Sequence, residues 1–188
     1  MIQHTGEQEG LHFQRHFVDQ KPPFLPKTQY QVYPHVRAIF TDVDGVLTDG
    51  GFYYSEKGLA MKRFCTRDAA AVVRLKAAGY KVCAVTHSAD MITSRRLEDM
   101  WFDMFQVGVK CKIKSIKKIC EEYGLDMSRE VIYIDDDVGG IPAMEAVAVS
   151  FCPADAAPAV LRHGRVCDAK GGEGVLAEVA DLLLREYE

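Results

Sequence analysis

The stretch AIFTDVDGVLTDG, residues 38–50, decides the predicted fold of this chain. A mostly apolar run over 36–40, in which only Arg37 is charged, leads directly into Asp42 and Asp44. A buried strand that ends in two carboxylates places them at the rim of a sheet, where open α/β sheets bind their ligands. We therefore interpret Asp42 as a nucleophile and Asp44 as its acid/base partner, next to a divalent cation.

Predicted strands and helices alternate from residue 36 to the end of the chain. The strands lie at 36–41, 81–85, 102–107, 131–134, 148–151 and from 166, and the helices at 68–78, 89–100, 112–123, 141–147, 158–162 and 171–187. This alternation is typical of a parallel sheet with right-handed crossovers. The predicted fold class is therefore α/β, a Rossmann-like three-layer sandwich. Asp68 is predicted to be the N-cap of the first helix.

A small β-hairpin is the insertion that we predict. The segments 52–54 and 60–64 flank a turn that contains Gly58. About 40 residues separate Asp44 from Thr86, and the hairpin and one helix use most of them. This leaves no room for a large cap domain.

Residues 1–35 differ in composition from the rest of the chain. They are polar and contain four prolines and four histidines, so we predict an N-terminal arm or linker, followed by one domain over 36–188. Metal binding by these histidines is the alternative interpretation. The arm could equally be the end of a linker from a larger fused protein, or an oligomer contact.

Composition indicates a cytoplasmic protein that binds neither nucleic acid nor a membrane. The formal net charge is −4, which disfavours polyanionic partners. The N-terminus is polar, and no apolar run approaches the roughly 18 residues of a transmembrane helix. The six cysteines are scattered without a CxxC pair, as is typical of reduced thiols.

Several polar groups are predicted to converge at the carboxyl ends of the strands. They are Asp42 and Asp44 after the first strand, Thr86 and Ser88 after the second, Lys112 after the third, and Asp135–Asp137 after the fourth. Clustered carboxylates need a hard cation, and oxygen-only ligation favours Mg²⁺. A carboxylate can attack a phosphoryl group in line, while cationic and hydrogen-bond donors stabilise its oxygens. The sequence therefore predicts a phosphatase.

The segment Asp42-Val43-Asp44-Gly45-Val46-Leu47-Thr48 resembles the first motif of the haloacid dehalogenase superfamily. Further segments resemble its small capless branch: Thr48-Asp49-Gly50, the 52–64 hairpin, Thr66-Arg67-Asp68, Asp136-Asp137, 153–156 and 171–174. That branch includes 3-deoxy-D-manno-octulosonate 8-phosphate phosphatases, nonulosonate 9-phosphate phosphatases and a domain fused to some CMP-sialate synthetases.

The resemblance implies a role for each matching position. Asp42 would be the nucleophile and a Mg²⁺ ligand, Asp44 the acid/base and a ligand through its carbonyl, and Asp136 the third ligand. Lys112 would neutralise the phosphoryl group. The expected substrate or phosphate contacts are Thr86, His87, Ser88, Arg67, Gly171 and Gly172. A phosphorylated sugar acid is the implied substrate, and a homotetramer formed through the Phe52–Phe64 hairpin is the implied assembly.

Two motifs depart from the superfamily pattern. The second motif usually reads Thr-Gly-Arg, whereas this chain has His87 and Ser88 after the threonine. The fourth usually reads Gly-Asp-Asp with another aspartate three residues later, whereas this chain has Asp135 first and Gly140 last. We expect altered substrate recognition and weaker support for the metal.

Two other functions are open to this sequence. The first is a weakly active or inactive oligomerisation domain associated with a CMP-sialate synthetase, which the altered motifs favour. The second is a response-regulator receiver, which also uses aspartates at strand ends. A receiver carries its phospho-accepting aspartate after the third strand, and the segment 102–108 ends without one.

Overall fold

The computed structural model describes residues 33–184, so most of the predicted N-terminal arm lies outside the described residues. A parallel sheet forms the centre of the domain, and a separate antiparallel hairpin projects from it. The strands are β1 Ala38–Thr41, β2 Tyr53–Ser55, β3 Gly58–Met61, β4 Lys81–Val85, β5 Met104–Gln106, β6 Val131–Ile134, β7 Val149–Cys152 and β8 Arg165–Val166. The sheet has the order β5-β4-β1-β6-β7-β8, and the hairpin consists of β2 and β3.

Helices connect the strands of the sheet. They are α1 Thr66–Ala77, α2 Met91–Asp99, α3 Lys112–Tyr123, α4 Met127–Glu130, α5 Ile141–Met144 and α6 Val175–Leu183, with 3-10 turns at Val138–Gly140 and Val160–Arg162. Within residues 33–184, no helix has the length and apolar character needed to cross a membrane.

Alternating side chains of β1 separate two apolar layers. Ile39 packs in a cluster with residues of α1, α2 and α6, while Ala38 and Phe40 pack in a second cluster with residues of α3 and α5. Successive residues of a strand point to opposite faces of the sheet. Both faces are thus covered by helices, which confirms the predicted three-layer sandwich with a small hairpin.

The strand register brings the predicted site residues to one edge. Thr41 of β1 lies opposite Ala84 of β4 and Ile134 of β6. The backbone N–H of Asp42 then donates to the carbonyl of Ile134 at 2.9 Å. The residues that follow β1, β4 and β6 therefore begin at the same level of the sheet.

The predicted role of Asp68 as the N-cap of its own helix is wrong. Helix α1 begins at Thr66, with Cys65 at the cap position. Asp68 is buried one turn later, and its Oδ1 accepts the N–H of Ala177 at 3.0 Å. It thus satisfies a free N–H at the start of α6, a helix about 100 residues further along the chain. Burial raises the pKa of Asp68 to about 6.

Candidate active site

A cavity of about 470 Å³ lies at the carboxyl edge of the sheet. Its lining consists of Asp42, Asp44, Gly50, Phe52, Thr86, His87, Ser88, Lys112, Asp136 and Asp137. The predicted catalytic and metal-binding side chains are therefore brought together. A volume of this size is in the usual range for small-molecule sites.

The turn after β1 is shaped by Gly45. This residue has φ of +89°, a left-handed conformation that favours glycine. An ideal Cβ at this position would lie 2.7 Å from Oδ1 of Asp136. Glycine therefore allows the Asp136 carboxylate to pack directly against the loop that carries Asp42 and Asp44.

Lys112 lies between two buried carboxylates. Its Nζ is 3.0 Å from Oδ2 of Asp42 and 2.8 Å from Oδ2 of Asp135. Burial would lower the pKa of Lys112, but the two negative charges outweigh it, so this pKa is raised and the ammonium stays charged. Burial and the neighbouring Asp135 charge raise the pKa of Asp42 to about 8, although Lys112 opposes this shift.

Asp135 was predicted to lie at this edge of the sheet, but it was assigned no role beyond a departure from the fourth motif. Its Oδ1 accepts the backbone N–H groups of Asp136 at 2.9 Å and Asp137 at 3.1 Å. Its Oδ2 accepts from Lys112 and from the hydroxyl of Tyr133. Both oxygens are thus fully engaged by the protein. The sequence feature that could have indicated this role is the position of Asp135 directly after the fully buried strand β6.

Two carboxylate oxygens in this cluster have no partner. Oδ1 of Asp42 and Oδ1 of Asp136 are buried and accept no hydrogen bond from the described residues. The side chains of Asp42, Asp135 and Asp136 offer oxygens that all lie within 4.8 Å of one another. Burial, and then repulsion by Asp135, raise the pKa of Asp136 to about 7. Since leaving such oxygens unpaired is unfavourable, this donor set fits a hard divalent cation.

A second lysine, Lys62, contacts the other predicted catalytic carboxylate. Its buried Nζ lies 2.8 Å from Oδ1 of Asp44 and 2.7 Å from Oδ2 of Asp90. It also donates to the hydroxyls of Thr93 at 2.9 Å and Ser88 at 3.2 Å. Sequence reasoning missed Lys62, because a lysine next to an exposed hairpin is ordinarily solvated and no local pattern distinguished this one.

The residues after β4 form one wall of the cavity. Oγ1 of the buried Thr86 accepts the N–H of Ser88 at 3.2 Å. Nδ1 of His87 lies 2.6 Å from the carbonyl of Val109 and donates its proton there, since a carbonyl only accepts. The Ser88 hydroxyl donates to Asp90 at 2.7 Å. His87 thus presents Nε2 as its remaining polar atom.

Three predicted substrate contacts lie outside the lining of the cavity. Arg67 donates through Nη2 to the carbonyl of Glu173. The N–H of Gly172 donates to the carbonyl of Val46 at 2.9 Å, and an ideal Cβ at Gly171 would lie 2.9 Å from the carbonyl carbon of Gly45. In the described chain the two glycines support the loop after β1, and substrate contact by these residues stays a prediction.

Comparisons with known proteins agree with the fold of this chain. No family model matches the chain. The 3-deoxy-D-manno-octulosonate 8-phosphate phosphatase KdsC of Haemophilus influenzae is 31% identical over 157 residues, which cover 82% of this chain and 86% of the relative. The structure of the cobalt-bound form of the deoxy-D-mannose-octulosonate 8-phosphate phosphatase from Haemophilus influenzae matches with a TM-score of 0.77 and 32% identity, covering 80% of this chain and 88% of that one.

A more distant structure shares the fold. It is the Moraxella catarrhalis 3-deoxy-D-manno-octulosonate 8-phosphate phosphatase in complex with a magnesium ion, a phosphate ion and a KDO molecule. Its TM-score is 0.76 at 22% identity, over 80% of this chain and 86% of that one.

Proposed function

Because this chain belongs to the 3-deoxy-D-manno-octulosonate 8-phosphate phosphatase family of the haloacid dehalogenase superfamily, we propose that it hydrolyses the phosphomonoester of a sugar acid. The chain is a phosphatase by this relationship. The proposed substrate is of the 3-deoxy-octulosonate 8-phosphate or nonulosonate 9-phosphate type. The observation that carries the proposal is the state of Asp42, whose Oδ2 contacts Lys112 while its Oδ1 has no protein partner.

Asp42 is the proposed nucleophile. Its carboxylate attacks phosphorus in line, the bond from phosphorus to the sugar oxygen breaks, and an aspartyl-phosphate forms. Asp44 protonates the leaving alkoxide, and then takes a proton from the water that attacks the aspartyl-phosphate. Inorganic phosphate leaves, and both carboxyl groups return to their starting states.

The transferred phosphoryl group needs positive charge and hydrogen-bond donors around its oxygens. Lys112 supplies the charge, and the buried Thr86 hydroxyl, which also lines the cavity, supplies a donor. The free Nε2 of His87 and the hydroxyl of Ser88 are the proposed contacts to the rest of the substrate.

Mg²⁺ is the proposed cofactor. The partnerless oxygens of Asp42 and Asp136 would hold it, with the backbone carbonyl of Asp44 as the third expected ligand. When bound, the ion would neutralise negative charge on the substrate phosphate. The related Haemophilus influenzae structure is a cobalt-bound form, which supports divalent metal binding.

The test is phosphate release with Mg²⁺ from a panel of sugar phosphates that includes 3-deoxy-D-manno-octulosonate 8-phosphate. We expect Asp42→Asn to lower the rate by about 10³-fold or more. Asp49→Asn is the matched control, because this nearby aspartate is tied to Arg63 at 2.9 Å and lies outside the cavity lining. Full activity of Asp42→Asn would contradict the mechanism, and an inactive wild type would contradict the function.

A second candidate function, assembly, is favoured by the surface of the hairpin. Phe52, Tyr53, Tyr54 and Met61 are exposed, Tyr54 by 72%, and exposed apolar groups of this kind mark interaction surfaces. We propose a homotetramer formed through the hairpin. Light scattering on the wild type and on Tyr54→Asp tests it. A monomeric wild type would contradict the proposal, and a stable tetramer without phosphatase activity would favour the pure oligomerisation domain.

The proposed location is the cytoplasm. All six cysteines are free and four of them are buried, as expected in a reducing compartment.

A further inference from the structure

A side chain at position 140 would occupy the same volume as the side chain of Asp135. An ideal Cβ on Gly140 would lie 2.8 Å from the Cβ of Asp135, and still closer to its Cγ and Oδ2. Gly140 has φ of −87° and ψ of −18°, a conformation open to any residue. Glycine is therefore required at 140 for space and not for its backbone freedom. Only one of the two positions can carry a side chain of this size.

We infer that the chain has exchanged the residues at these two positions, so that Asp135 supplies from the end of β6 the carboxylate that the superfamily motif places at 140. In this arrangement Asp135 is a positioning residue for Lys112. The part of the inference that concerns phosphate binding rests on the proposed function. The exchange itself rests on the packing of the two positions.

The contacts of Asp135 match such a role. Its Oδ2 lies 2.8 Å from Nζ of Lys112, which in turn lies 3.0 Å from Asp42. Its Oδ1 accepts the N–H of Asp136 at 2.9 Å, which orients the backbone of a proposed metal ligand. One carboxylate thus connects the phosphate-neutralising lysine to the metal side of the site. Its side chain is completely buried.

Gly139, next to Gly140, also leaves space for a side chain from a distant segment, that of His87. An ideal Cβ on Gly139 would lie 3.2 Å from Nε2 of His87. The ring comes from the motif after β4, where the superfamily pattern has glycine. The 3-10 turn at Val138–Gly140 therefore has glycine at the two positions where the side chains of His87 and Asp135 approach its backbone.

The exchange is tested by a double-mutant cycle in thermal unfolding. Gly140→Asp alone forces two carboxylates together and should lower the Tm by about 5–10 °C. Asp135→Gly with Gly140→Asp should recover most of that loss, because contacting residues are strongly coupled. In the control, Gly139→Asp should combine additively with Asp135→Gly. Tolerance of Gly140→Asp alone, or additive effects in the main cycle, would overturn the exchange.

The positioning role is tested with inorganic phosphate as the probe. Asp135→Asn keeps an acceptor for the N–H groups of Asp136 and Asp137 but loses the charge that holds Lys112. We expect its Tm to stay within about 3 °C of the wild type, and calorimetry with Mg²⁺ to show phosphate binding weakened about tenfold. The double exchange should bind phosphate within about threefold of the wild type.

Neither measurement needs turnover, so the result is separable from the proposed function. Inactivity of the wild type on every sugar phosphate would remove the function while the cycle still decides the exchange. Unchanged phosphate affinity in Asp135→Asn would overturn the positioning role.

Discussion

Two buried lysines, Lys112 and Lys62, each hold one member of the predicted catalytic pair against a second carboxylate. Lys112 lies 3.0 Å from Asp42 and 2.8 Å from Asp135. Lys62 lies 2.8 Å from Asp44 and 2.7 Å from Asp90. We call these arrangements the Lys112 cluster and the Lys62 cluster. Their composition is the same, but their depth differs.

Asp42 in the Lys112 cluster and Asp90 in the Lys62 cluster have pKa values shifted in opposite directions. In the Lys112 cluster the side chains of Asp42 and Asp135 are 7% and 0% exposed, and burial raises the pKa of Asp42 to about 8. In the Lys62 cluster both carboxylates are 19% exposed. Burial still pushes the pKa of Asp90 upward, but hydrogen bonds from Lys62 and Ser88 outweigh it and lower this pKa. The hydrogen bonds from Lys62 and Ser88 therefore keep Asp90 charged where desolvation is modest, whereas Lys112 does not offset the stronger desolvation of Asp42.

The largest expected difference between the clusters comes from removing each lysine. Lys112→Met leaves two buried carboxylates facing each other and takes away the charge that faces the phosphate. We expect a loss of about 10³-fold in kcat and about 3 kcal/mol of unfolding free energy. Phosphate release and urea unfolding measure the two effects. A loss below tenfold in kcat would show that Lys112 is not needed for phosphate.

Lys62→Met should have a smaller effect, because water reaches the carboxylates of Asp44 and Asp90 and solvates them. We expect a loss of about tenfold in kcat and about 1–2 kcal/mol of unfolding free energy, by the same two assays. Lys57→Met is the control, since this lysine lies in the hairpin that precedes Lys62 but is exposed. Equal losses in Lys62→Met and Lys112→Met would contradict the expectation that the more deeply buried cluster depends more strongly on its lysine.

The pH dependence of Mg²⁺ binding should separate the clusters further. In the metal-free protein, Asp42 with a pKa of about 8 and Asp136 with a pKa of about 7 hold protons that the unfolded chain has already lost. Stability without metal should therefore fall as pH rises from about 4 to 8. Mg²⁺ binding needs the deprotonated forms, so its affinity should rise about tenfold or more from pH 6 to pH 8.

Calorimetry in two buffers with different ionisation heats measures the protons released on binding. Asp90→Asn is the control, since the pKa of Asp90 is lowered and its carboxylate is charged throughout this pH range. A flat affinity between pH 6 and pH 8 in the wild type would contradict the raised pKa values.

The two clusters also differ in how far the sequence predicts them. Asp42 and Lys112 follow strands of a parallel sheet, so topology alone brings them to one edge. Lys62 follows the hairpin, whose placement over the sheet depends on tertiary packing that no local pattern encodes. Sequence reasoning therefore predicted the α/β sandwich and the strand-end carboxylates, and missed the lysine that reaches Asp44.

Contacts between distant segments give several residues structural roles that the sequence did not predict. Asp68 serves the start of α6, although its position in the sequence is that of a cap for α1. Gly171 and Gly172 pack against the turn after β1, a structural role that the sequence did not indicate, while their predicted contact with substrate stays a prediction. In each case the neighbour lies about 100 or more residues away, beyond the reach of periodicity or capping rules.

The shared volume of Asp135 and Gly140 constrains how this motif can change in evolution. From a chain with glycine at 135 and aspartate at 140, one substitution yields either no carboxylate or two that overlap. Under the proposed exchange both intermediates would be inferior to both end points, which would be reciprocal sign epistasis between two sites five residues apart. A consensus that scores each position separately would count two losses in this chain. A comparison that treats the two positions as a pair would count no loss, because one carboxylate occupies the shared volume in either arrangement.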